Sequence, residues 1–117
     1  MPDSKHKETR ITDSTTGGQK GQKLPRFDLI PPDALWAIAE HYGRGSLKYS
    51  DRNWELGYAH GLTVAAMQRH LAQHMMGERI DPETGGLHVA AVAWHAIALL
   101  TFVLRDLGTD DITVQRA

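Results

Sequence analysis

From Leu87 to Leu104 almost every residue is apolar, and neither Pro nor Gly interrupts the run. Such a stretch is too long for an ordinary strand and shows no period-2 alternation, so it predicts a helix. It is apolar nearly all the way round, which predicts burial on most faces. Start signals lie just upstream: Asp81 as a cap, Pro82 at the first helical position and Glu83 in the first turn. Arg105 in the last turn and Gly108 beyond it mark the stop. Two imidazoles break the apolar run. His88 and His95, seven residues apart, fall about 20° apart around a helix and roughly 10.5 Å apart along it. Buried polar groups need partners, so the chain must supply something that answers them.

The totals exclude several classes. At 117 residues the chain holds one modest domain. A net charge of −1 gives no bulk attraction to nucleic-acid polymers or anionic membranes. The absence of cysteine rules out a disulfide scaffold and any thiolate metal site or nucleophile. The apolar run contains two His, a Trp and a Thr and has no basic flank, so a core helix is expected rather than a membrane span. No apolar leader is visible at the N-terminus, and the expected compartment is the cytosol, or a host's cytosol for a viral chain.

Residues 1–24 are polar and Lys-, Thr-, Ser- and Gly-rich, and they predict a flexible basic arm. The folded part is expected over 25–108, entered through a Pro-bounded lead-in that Phe27, Leu29 and Ile30 anchor. A first helix is predicted over about 32–48, with a kink or break at Gly43 and Gly45. A polar and aromatic loop, 47–57, follows. A second helix is predicted over about 60–76, and residues 109–117 read as a polar tail. The expected fold class is therefore all-α: a compact bundle of three to four helices with a long buried C-terminal helix. Two amphipathic partners cannot cover that helix, so a homo-oligomer, dimer or higher, is expected.

Six of the seven histidines lie between His41 and His95. An antiparallel pairing of the second helix with the long one brings the acidic connector Glu78, Asp81 and Glu83 close to His70, His74 and His88. Three chemistries fit that crowding. Carboxylates could hold a hard divalent cation, with cationic side chains on phosphates. His70 and His74, one turn apart, could share a transition metal with His88. Lys48, Arg69 and the histidines could bind an anion with no metal. The plain structural readings are capping for the acids and a half-exposed helix face for His70 and His74.

The segments RFDLIPPDAL, KYSDRNWELG and RHLAQHMMGERIDPETGGLHVAAVAWHAIALL, in that order, resemble a family found widely in phage genomes, the dATP/dGTP diphosphohydrolase N-terminal domain. More distantly the chain resembles the all-α MazG-like nucleotide pyrophosphohydrolases. The resemblance spans about Pro25 to Arg105. It implies an α-helical homo-oligomer hydrolysing a purine deoxynucleoside triphosphate, with Mg²⁺ or Mn²⁺ on acidic residues. Lys48, Tyr49, Asn53, Trp54, Arg69, His70, Glu78, Asp81, Glu83 and His88 match the pattern. The implied roles are metal binding by Glu78, Asp81 and Glu83, and general-base catalysis by His70 or His88. Lys48, Tyr49, Asn53, Trp54, Arg69 and His95 would contact the nucleotide. MazG-type enzymes pair two acidic motifs on neighbouring helices. This chain has one, Glu78-x-x-Asp81, and carries His88 and His95 where further carboxylates are expected. The competing function is a protein that binds and sequesters a nucleotide, such as a cyclic or ADP-ribose-type immune signal, without turnover. A purely structural helical module is the third.

Overall fold

The computed structural model describes residues 8–114, in two compact units that divide between Pro31 and Pro32. In the first unit β1 (Thr9–Thr12) pairs antiparallel with β2 (Gln19–Gln22), Thr9 opposite Gln22 and Thr12 opposite Gln19. Asp13 builds the turn: its side chain accepts from the backbone N–H groups of Thr15 and Thr16, and Gly17 takes a positive φ of 78°. A short 3₁₀ turn, Phe27–Leu29, follows. The hairpin overturns the all-α expectation. Its strands are polar and almost wholly exposed, so no apolar alternation announced them; Asp13 and the Gly17-Gly18 pair were the available signal.

The second unit holds three helices: α1 (Pro32–Ser46), α2 (His60–Met75) and α3 (His88–Arg105). Pro32 opens α1, where a missing N–H costs nothing. The helix runs unbroken through Gly43 and Gly45, so the expected break does not occur. A 3₁₀ turn, Asn53–Leu56, leads towards α2. The long helix begins at His88, not at the acidic connector. Residues 81–86 instead close a tight turn, in which Asp81 exchanges backbone hydrogen bonds with Gly85 and Gly86. Gly85 has φ 77° there, a conformation that favours glycine. Asp106, in the left-handed region, stops α3 before Gly108 is reached.

α3 packs on α1 and, most extensively, on α2. Contacts of His70 with His88 and of His60 with Phe102 show that α2 and α3 run antiparallel. By length and composition α3 could also cross a membrane. Its buried residues are His88, Ala90, Ala91, Ala98 and Phe102, while Val89, Leu100, Val103 and Leu104 are exposed. Burial on most faces is thus not what the single chain achieves. Residues after α3 are tied to the start of α2: His60 N–H donates to Thr109 O at 2.9 Å, and Asp111 accepts from Gly61 N–H at 2.7 Å. Gly108, φ 71°, lies so close to Tyr58 that no side chain fits.

Phe102 is fully buried, edge-on to Tyr58 at 5.0 Å and stacked on His60 at 5.6 Å. With only four buried apolar side chains in the described core, its loss weighs heavily. Phe102→Ala is expected to cost about 3–5 kcal/mol of unfolding free energy, a large share of the ~5–15 kcal/mol typical of a domain. Urea unfolding measures this, and a loss below about 1 kcal/mol would show that the ring is not the keystone.

Candidate functional site

The helix pairing brings His70 from mid-α2 against His88 at the first turn of α3. Asp81 enters from the tight turn between them. All three are buried, and one donor atom from each lies within 4.8 Å of the others. The two Nδ1 atoms are 2.9 Å apart, and Asp81 Oδ2 is 3.9 Å from His70 Nδ1. The second Asp81 oxygen accepts from Glu83 N–H at 2.9 Å, which fixes the carboxylate's rotamer.

Proton positions follow from donor counting. Arg69 Nη2, which can only donate, is 3.4 Å from His70 Nε2, so that nitrogen is the acceptor. His70 then carries its proton on Nδ1 and donates to His88 Nδ1. His88 in turn is protonated on Nε2, which is buried, has no hydrogen-bond partner and faces Glu78 Oε2 at 3.6 Å. Arg69, His70 and His88 form one directional hydrogen-bonded chain, and the Glu78 carboxylate faces its end without closing a hydrogen bond. Burial, then the neighbouring Arg69 charge, pushes the His70 pKa down, with Asp81 opposing.

One wall of a cavity of about 550 Å³ carries His70 and Asp81. That size lies within the range of small-molecule sites. Arg44, Lys48 and Arg69 contribute positive charge to the lining, and Tyr42, Trp54 and Trp94 contribute an aromatic surface. Trp54 and Trp94 meet edge-to-face at 5.7 Å, and Tyr42 is edge-on to Trp94 at the same distance. Lys48, Tyr49, Asn53, Trp54, Arg69 and His95 all line this space. Glu83 sits at the exposed rim, paired with Lys48 at 3.4 Å. Glu78 lies behind His88 and outside the donor trio, and His74 is exposed on α2 and joins neither. Sequence reasoning did not single out Arg44, His41, Tyr42 and Trp94. Arg44 packs its guanidinium against Gly86, where a Cβ would collide with it. The only sequence signal for these four was their shared α1 or α3 face.

Burial lowers the His95 pKa from 6.5 to about 4, and the charges of His70, His41 and Arg69 act in the same direction. His41 is lowered too, first by burial and then by Arg44. A folded-state pKa below the unfolded one means that the native state binds fewer protons. Stability from His95 is therefore complete above about pH 6.5 and is lost as pH falls towards 4. Because the ring is partly exposed, the discounted effect is about 1–2 kcal/mol. Urea unfolding at pH 7.5 and 5 should show this loss, and His95→Phe should reduce it; an unchanged pH slope in that variant would refute the assignment.

Among the chemistries this arrangement permits, the donor set discriminates. Two imidazole nitrogens and one carboxylate suit a borderline transition ion, whereas Mg²⁺ favours oxygen ligands. The residues present thus fit Mn²⁺ or a similar ion better than Mg²⁺. In comparisons with known proteins, the family model described as dATP/dGTP diphosphohydrolase, N-terminal, matches residues 14–112. No curated protein and no solved structure matches the chain.

Proposed function

Because the chain belongs to the dATP/dGTP diphosphohydrolase N-terminal family, we propose that it hydrolyses a purine deoxynucleoside triphosphate to the monophosphate and pyrophosphate. The observation that carries this reading is the buried His70–Asp81–His88 trio, of which His70 and Asp81 line a cavity that also carries cationic and aromatic side chains. His70 Nδ1, His88 Nδ1 and Asp81 Oδ2 would hold a divalent ion. When bound, that ion supplies charge neutralisation on phosphate and an acidified water.

The chain's own groups do the rest. With both Nδ1 atoms as ligands, the His70 proton would reside on Nε2. That N–H would face the Arg69 N–H groups, leaving Arg69 free to donate to a phosphate oxygen. Lys48 and Arg44 supply further positive charge to the same cavity. Glu78, whose carboxylate faces His88 Nε2 from 3.6 Å, would orient that ring by its charge, a positioning role rather than ligation. Both imidazoles are then occupied, so neither serves as general base. The base of the nucleotide stacks on Trp54 or Trp94.

Purified protein incubated with each of the four deoxynucleoside triphosphates and Mn²⁺ should release dAMP or dGMP with pyrophosphate. A second reading, retention without turnover, draws on there being one carboxylate in the donor trio. Nucleotide bound tightly in EDTA and recovered intact from Mn²⁺ would favour retention and overturn hydrolysis.

A further inference from the structure

Two histidines in the cavity wall have no role in the trio. His41 on α1 and His95 on α3 flank the Trp94 indole, with ring centroids 5.8 and 4.9 Å from it. In each ring Nδ1 is buried without a hydrogen-bond partner. Among the described residues, neither Nε2 has a hydrogen-bond partner, and both rings line the cavity. A buried N–H with no acceptor is costlier than a buried lone pair. The proton of each neutral imidazole therefore resides on Nε2. That gives two donors beside the Trp94 ring, with no acceptor among the described residues.

We infer that the His41–His95 pair reads the base of the nucleotide, one of the two Nε2–H groups donating to the purine ring nitrogen N7. N7 is an acceptor that adenine and guanine share, and pyrimidines have no counterpart to it. A pocket built on N7 accepts both purines without having to distinguish the amino group of one from the carbonyl of the other. Stacking on Trp94 supplies affinity that any base would gain, and the imidazole donors supply the selection. The inference rests on the nucleotide reading of this cavity and names the class of base the cavity selects.

Calorimetric titrations in EDTA separate base recognition from catalysis. The probes are dGMP, 7-deaza-dGMP, dAMP, 7-deaza-dAMP and dTMP, with inorganic tripolyphosphate as the base-free control. Replacing N7 by carbon should weaken binding about three- to tenfold, the range expected for one lost hydrogen bond. The penalty should disappear in His41→Phe, in His95→Phe or in both, while tripolyphosphate binding to these variants is retained. Wild-type protein binding parent and 7-deaza nucleotides equally would overturn the inference, whatever the variants do. A penalty undiminished in both variants would also overturn it. A protein that shows the N7 penalty but no turnover keeps this subsite and loses the hydrolysis reading. Turnover with no N7 penalty does the reverse.

Discussion

Asp81→Asn should abolish nucleotide turnover, by more than about a hundredfold in kcat/KM, and leave the protein folded. The two oxygens of Asp81 have separate duties. Oδ1 accepts from Glu83 N–H and holds the tight turn, and Oδ2 faces His70 from 3.9 Å. An asparagine keeps the first interaction and removes the negative charge behind the second. The turn and the packing of α2 on α3 therefore persist, while the trio loses its only anionic donor. Glu83→Gln makes the contrast. Glu83 is exposed and paired with Lys48 at the rim, where an ion pair contributes ~0–1 kcal/mol, so only a few-fold change is expected. Initial rates at saturating Mn²⁺, with circular dichroism as the folding control, check both variants. An Asp81→Asn protein within threefold of wild type would remove the carboxylate from the metal site.

Mn²⁺ at about a hundred times its dissociation constant should stabilise the folded protein by about 2.7 kcal/mol, because the trio exists only when α2, the turn and α3 are assembled. In a domain of this size that corresponds to a rise of roughly 10 °C in melting temperature. Mg²⁺ at the same concentration should give much less, since nitrogen supplies two of the three donors. His88→Leu should remove the Mn²⁺ shift. Without metal it should melt close to wild type: a buried nitrogen with no hydrogen-bond partner is deleted, and His70 Nδ1 loses its acceptor. Equal shifts from the two ions, surviving in His88→Leu, would place metal binding elsewhere. Loss of the shift with retained nucleotide affinity in EDTA would separate the metal from the cations that bind phosphate.

Much of the architecture was legible because helix signals are local. The Pro32 start, the apolar spacing of α2 and the unbroken α3 run each specify a helix within a few residues of their own position. What misled was local as well. Asp81-Pro82-Glu83 carries every mark of a helix start, yet Gly85 and Gly86 close a turn first, and α3 begins at His88 with no side-chain cap. The hairpin of 9–22 was hidden because its strands bury almost nothing, so selection for a core leaves no alternation to read.

The sequence by itself determined that two imidazoles would fall on one side of an apolar helix, because 3.6-residue periodicity acts along a single element; the acids it placed in that helix's first turn lie instead in the turn before it. It could not choose His70 over His74, since residues one turn apart share a face and only the crossing of α2 on α3 decides which meets His88. Nor could it move Glu78 behind His88 or bring Arg44 and His41 from α1 to the cavity. Those placements depend on how whole helices pack, a property that no residue carries alone.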